Sequence, residues 1–124
     1  MLKHIGLPVR TKNEIEQFYM GILGFEKVHE FSIPEEYSRK IFGIKKPAAI
    51  CLLRKGDLML EIFMDDHHSV NHSFHHLCLD VEKIDSIVKQ LTMQEYPVTI
   101  IERDKGDLVF IADKSGNLFE LKEA

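Results

Sequence analysis

Apolar and other residues alternate from Lys3 to Val9, with Ile5, Leu7 and Val9 on one face, so this stretch predicts a strand. Thr11-Lys-Asn-Glu14 has the form of a capping box and predicts a helix starting near residue 12. Ile15, Phe18, Tyr19, Ile22 and Leu23 give that helix its apolar stripe, and Gly24 stops it. Phe25 to Phe31 reads as the next strand. Ala48 to Arg54 and Asp57 to Met64 read as a hairpin about Lys55-Gly56. The same order then recurs. Phe74 to Val81 is a predicted strand, and Ile84, Ile87, Val88 and Leu91 mark a helix. Pro97 to Ile101, Asp107 to Ala112 and Asn117 to Lys122 are predicted strands, the last two joined by the turn Asp113-Lys-Ser-Gly116. The pattern is β-α-β-β-β, twice.

Matched residues mark the two copies. His4-Ile-Gly-Leu-Pro-Val9 opens the first and His76-Leu-Cys-Leu-Asp-Val81 the second, and the two histidines are 72 residues apart. Leu58-Met-Leu-Glu61-Ile-Phe63 closes the first and Asn117-Leu-Phe-Glu120-Leu-Lys122 the second, with the glutamates 59 apart. The first copy therefore carries 13 more residues between its histidine and its glutamate. Ser32 to Gly43 accounts for them as a short inserted helix, with Pro34 near its start and Gly43 at its stop. Two long copies indicate a duplicated supersecondary unit, not a solenoid.

Strand alternation places the matched residues on one kind of face. His4 points away from Ile5, Leu7 and Val9, and His76 away from Leu77, Leu79 and Val81. Glu61 opposes Leu60 and Ile62, and Glu120 opposes Phe119 and Leu121. The aliphatic face is expected to pack under a helix. If the sheet curves around the other face, His4, Glu61, His76 and Glu120 converge as four ligands on one metal. A carboxylate removed from water needs such a partner. A strand start shifted by one residue would bring His75 forward in place of His76. His67, His68, His72 and His75 lie between the copies; they could be read as a metal-binding cluster, but a solvated linker joining the halves is the favoured reading.

Composition narrows the function. The 124 residues suit one domain, spanning 1–124 with modules at about 1–66 and 73–124. Apolar residues at 44% and charged residues at 29% are ordinary for a globular protein. A net charge of -4 argues against nucleic acid as a partner. No apolar run approaches the roughly 18 residues of a membrane span, and the N-terminus enters a strand pattern without a signal-peptide profile. Cys51 and Cys78 sit in apolar runs and read as buried thiols of a reducing compartment, so a cytoplasmic protein is expected.

These motifs, in this order, resemble the vicinal oxygen chelate superfamily, the glyoxalase/bleomycin-resistance/extradiol-dioxygenase group. The resemblance rests on His4 to Val9, on Phe18-Tyr19 and Leu23-Gly-Phe-Glu26, on Leu60-Glu-Ile-Phe63, on His76 to Val81 and on Asp113 to Leu121. It implies an α+β fold, with two tandem βαβββ modules forming an open, eight-stranded, barrel-like sheet and helices on its outer face. It also implies a homodimer. The ligand set His4, Glu61, His76 and Glu120 is similar to that of glyoxalase I, with one divalent metal: Zn, Ni, Co or Mn. By that resemblance Glu120 is the first choice for the catalytic base and Glu61 the second. The expected function is a metal-dependent lyase or isomerase that abstracts a proton next to a metal-bound carbonyl of a small oxygenated substrate. The alternatives are an acyl-CoA epimerase of the methylmalonyl-CoA type, or a metal-bearing small-molecule resistance or binding protein. Glyoxalase I places a glutathione-binding arginine where this chain has Pro8 and an asparagine where it has Asp65, so weak binding of glutathione is expected.

Overall fold

The computed structural model describes residues 1–124 and divides into two compact units, Met1–His68 and Ser69–Ala124. The first unit contains β1 (Ile5–Val9), β2 (Glu26–Ile33), β3 (Ala48–Lys55) and β4 (Leu58–Met64). Its helices are α1, which runs as α-helix over Lys12–Glu14 and continues as π-helix over Ile15–Ile22, and α2 (Glu35–Phe42). The second unit contains β5 (Leu77–Val81), α3 (Ile84–Met93), β6 (Val98–Ile101), β7 (Leu108–Ala112) and β8 (Leu118–Glu123). The eight strands form two four-stranded mixed sheets that are not closed into a barrel. Their orders are β1-β4-β3-β2 and β5-β8-β7-β6, the same arrangement twice. In each, the first strand lies parallel to the last, and the other pairings are antiparallel.

Alternation sets the core of each unit. Leu60 and Ile62 of β4 are fully buried while Glu61 between them is not, and in β8 Phe119 and Leu121 are buried on either side of Glu120. Val9 and Leu53 complete the apolar face in the first unit, and Val81, Val109 and Ile111 in the second. The apolar stripe of α1 is buried as expected, with Ile15, Phe18, Tyr19, Ile22 and Leu23 all at 8% exposure or less.

Several details depart from the sequence expectation. Thr11 stands at the N-cap of α1, yet its hydroxyl makes no capping hydrogen bond and Glu14 is buried, so the capping box is not formed. Most of α1 is π-helix, with the Leu23 amide donating to the Phe18 carbonyl five residues back. The wide coil draws the Glu16 carbonyl to 3.1 Å from where a Cβ on Gly21 would stand, and glycine relieves that contact. Lys55 Nζ caps the helix end by donating to the Leu23 carbonyl at 2.6 Å. β5 begins at Leu77, where its ladder with β8 begins opposite Phe119; Phe74 to His76 precede it and are exposed, Phe74 fully so. Cys51 is buried, but Cys78 is exposed, and both are free thiols. Burial raises the Cys51 thiol above its usual value. At Cys78 burial also raises the thiol, with the charge of Glu120 adding to it.

The inserted helix α2 forms where the extra residues of the first copy predict it. Pro34 is its N-cap, and Gly43 closes it in the left-handed conformation at φ 71°. The Gly43 amide donates to the Arg39 carbonyl and the Ile44 amide to the Ser38 carbonyl.

Candidate metal-binding pairs and an adjoining cavity

Within the first unit β1 and β4 are register partners, Gly6 with Glu61, and His4 immediately precedes β1. His4 Nε2 and Glu61 Oε1 are 3.0 Å apart. A carboxylate oxygen only accepts, so this contact has the imidazole Nε2 donating. Leu52 of β3 flanks Glu61 on the other side.

Within the second unit Cys78 and Phe110 flank Glu120 in the same way. His76 Nε2 stands 3.7 Å from Glu120 Oε1, beyond hydrogen-bond length. Its ring packs edge-on against Phe110 at 5.3 Å between centroids. Its Nδ1 lies 2.9 Å from the Phe74 carbonyl oxygen. A carbonyl cannot donate, so Nδ1 carries the proton, and in the neutral ring Nε2 presents its lone pair. This backbone-oriented imidazole is the arrangement metal-ligating histidines ordinarily have.

The other candidates lie elsewhere. His75 turns to Ser73, with Nδ1 3.3 Å from the hydroxyl, so the residue that meets Glu120 is His76. His67, His72 and His75 are exposed, and Arg10 Nε donates to the carbonyl of His68 at 2.8 Å. No cluster of three or more His, Cys, Asp or Glu able to hold a metal forms within either unit. Each unit instead contributes a pair, one imidazole and one carboxylate. The chemistry of each pair fits a borderline divalent cation.

A cavity of about 220 Å³ adjoins the first pair, inside the first unit. Gly6 and Pro8 of β1 and Phe63 of β4 form its floor on the face that carries Glu61, and Ser38 and Phe42 of α2 form its roof. Phe42 meets Phe63 edge-to-face at 5.2 Å. At the rim Lys46 Nζ binds Asp65 Oδ1 at 2.6 Å and reaches Asp66 at 3.4 Å. The hydrogen bond from Lys46 holds the Asp65 carboxyl below its usual value, and the same bond raises Lys46. Pro8 and Asp65 both line this cavity. The cation beside them is already neutralised. Ser38, Phe42 and Lys46 escaped the sequence reading. The one available signal was the 13-residue excess, which marks an insertion without showing what it covers.

The family model for the Glyoxalase/Bleomycin resistance protein/Dioxygenase superfamily matches residues 1–121. The chain belongs to this superfamily. Solved members of the same fold include a glyoxalase family protein from Enterococcus faecalis, 24% identical, with a TM-score of 0.71 over 98% of this chain and 95% of that one. The fosfomycin resistance protein FosX from Listeria monocytogenes is 16% identical, with a TM-score of 0.75 over 100% and 93%. The trypanothione-dependent glyoxalase I of Leishmania major is 17% identical, with a TM-score of 0.72 over 99% and 86%. A variant of the Listeria FosX has been solved with Mn(II) and a dihydroxypropylphosphonic acid. No curated protein sequence matches the chain. No helix is long and apolar enough to cross a membrane.

Proposed function

We propose that this superfamily member is a divalent-metal-dependent lyase or isomerase of the glyoxalase type. It would remove a proton from the carbon beside a carbonyl group of a small oxygenated substrate. The observation that carries the reading is the repeated pair. In each unit a histidine just ahead of the first strand and a glutamate on the last strand come within 4 Å, on the sheet face opposite the core. Structural packing does not require that coincidence to occur twice. His4, Glu61, His76 and Glu120 together offer two imidazole nitrogens and two carboxylates, a donor set that suits Zn, Ni, Co or Mn. When bound, the metal supplies Lewis acidity to a substrate carbonyl.

The protein's own groups divide the remaining work. His76 is oriented by the Phe74 carbonyl and offers Nε2. Glu61 is engaged by His4 at 3.0 Å, whereas Glu120 stands 3.7 Å from His76 and holds no such bond to it. The Lys122 ammonium reaches Glu120 only at 4.0 Å, so Glu120 carries no short bond to either neighbour and takes the role of base, accepting the substrate proton and returning it to the adjacent carbon. Phe110 and Cys78 are its ladder neighbours, and its side chain is 18% exposed.

The test is metal content with proton exchange. Purified protein is expected to hold one divalent metal per functional site, and alanine at His4, Glu61, His76 or Glu120 to lower occupancy sharply, because a ligand is lost outright. Alanine at His67 or His72 is expected to leave it unchanged. In D₂O the metal-loaded protein should incorporate deuterium beside the carbonyl of a 2-hydroxyketone. Metal held by the linker histidines instead, or turnover with no exchange, would overturn the reading.

A further inference from the structure

We propose that the cavity beneath α2 is a binding site for a small, uncharged, apolar group bearing one hydroxyl or carbonyl oxygen, such as a monocyclic aromatic alcohol. As the pocket for a substrate's substituent it rests on the reading above, since Gly6 of its floor is the register partner of Glu61. As a binding site it stands on its own residues.

Three observations define the occupant. The first is size and lining. About 220 Å³ is lined by Pro8, Phe42, Ile44, Pro47, Phe63 and Met64 in a pocket that is open on one side, and an apolar cavity of roughly 150 Å³ accepts benzene. The second is Ser38. It is 1% exposed, lines the cavity, and its Oγ has no hydrogen-bond partner. A buried hydroxyl without a partner is costly, and native proteins rarely leave one so. One ligand oxygen would satisfy it. The third is charge. Lys46 at the rim is already paired with Asp65 and Asp66, so no cation is left to attract an anionic ligand. The cavity selects a neutral group with one polar atom.

The second unit has no counterpart to this roof, because α2 lies wholly in the extra residues of the first copy. The cavity is thus a property of the insertion, separable from the repeated pairs.

The experiment titrates metal-free, full-length protein with toluene and with benzyl alcohol, followed by amide NMR shifts. Both probes are expected to give saturable shifts centred on Gly6, Phe42 and Phe63 at millimolar concentration. Ser38→Ala, which removes the hydroxyl, should weaken benzyl alcohol about tenfold more than toluene, the effect of one hydrogen bond lost to a buried hydroxyl. Ala48→Leu, which fills the cavity from β3 and leaves Ser38 in place, should abolish both. The absence of localised saturable shifts would overturn the proposal. So would an alcohol-to-toluene ratio unchanged by Ser38→Ala. His4→Ala should retain both probes while losing metal. Probe binding without metal would leave this site standing if the catalytic reading fell. Metal content without probe binding would sink this site alone.

Discussion

The two units share a sheet order and differ in what has been added to it. Each brings a histidine ahead of its first strand to a glutamate on its last, and each buries the residues flanking that glutamate. Only the first has α2 and the cavity under it. The repeated part sets a histidine against a glutamate, and the unrepeated part roofs a cavity. Even the pairs are unequal. His4 closes on Glu61 through a hydrogen bond, while His76 is held by backbone and leaves both its Nε2 and Glu120 free of each other. The two pairs are equivalent in position, and on the proposed reading their different contacts would separate a carboxylate that holds metal from one that takes a proton.

The sharpest way to break this comparison is to exchange the glutamates for glutamine one at a time. Glu120→Gln keeps an oxygen ligand but cannot accept a proton. Deuterium incorporation should fall by roughly 10² or more while part of the metal is retained. Glu61→Gln should be milder. A native exchange rate in Glu120→Gln would exclude it as the base, and a dead Glu61→Gln beside it would reverse the two roles.

The shared frame should respond alike in both units. Leu60 and Phe119 each precede the glutamate of their unit and are fully buried. Leu60→Ala should cost about 2–5 kcal/mol and Phe119→Ala about 3–5 kcal/mol in urea unfolding, through lost burial and the cavity left behind. A cost below about 1 kcal/mol at either position would mean that its sheet face is not the core of that unit.

Two glycines sharpen the contrast at smaller scale. Gly43 ends α2 with open space around its missing Cβ, whereas at Gly116 a Cβ would stand 2.7 Å from Val70 Cγ1. Both have positive φ, so alanine at either should cost about 1–2 kcal/mol in conformation. Gly116→Ala should cost more, by the steric term, and Val70→Ala in the same chain should recover that excess. Thermal unfolding of the three variants decides it.

The smallest effect belongs to the rim. Asp65 is held below its usual value, so its contribution is complete above the ordinary carboxylate range and lost as pH falls through the depressed one. Lys46 is raised, so its contribution is complete below the ordinary lysine value and lost as pH rises past the raised one. Asp65→Asn should therefore lower stability by a constant amount, under about 1 kcal/mol, through the neutral range. The difference should shrink below about pH 4. A difference that grows on acidification would show the carboxylate to be unpaired.

Much of the fold was legible because it rests on two short-range patterns. Alternation fixes which face Glu61 and Glu120 take, and the helical stripe marks Ile15 to Leu23 for burial. What escaped depends on contacts that no period encodes. The stripe is equally compatible with α and π coils, and the choice is written in Gly21 against the Glu16 carbonyl. Thr11 has the residue type of a cap without the bond. Phe74 is apolar yet fully exposed, so the strand could not be started correctly from hydropathy. Cys78 sits in an apolar run but on the face of Glu120, so strand parity exposes it while hydropathy alone buries it. Ser38 is one serine in a polar helix, and only the packing of α2 on the sheet gives it a role.

One small contact has an evolutionary consequence. The atom that orients His76 is the Phe74 carbonyl oxygen, and the ring of Phe74 is fully exposed. No exchange of one side chain for another can delete that acceptor, because every residue carries it. Position 74 is therefore free to drift through any residue that keeps the local backbone path. A single residue inserted or removed between 74 and 76 would break the alignment at once. The imidazole is protected against substitution and exposed to changes of length, so its surroundings can vary in identity while their spacing cannot.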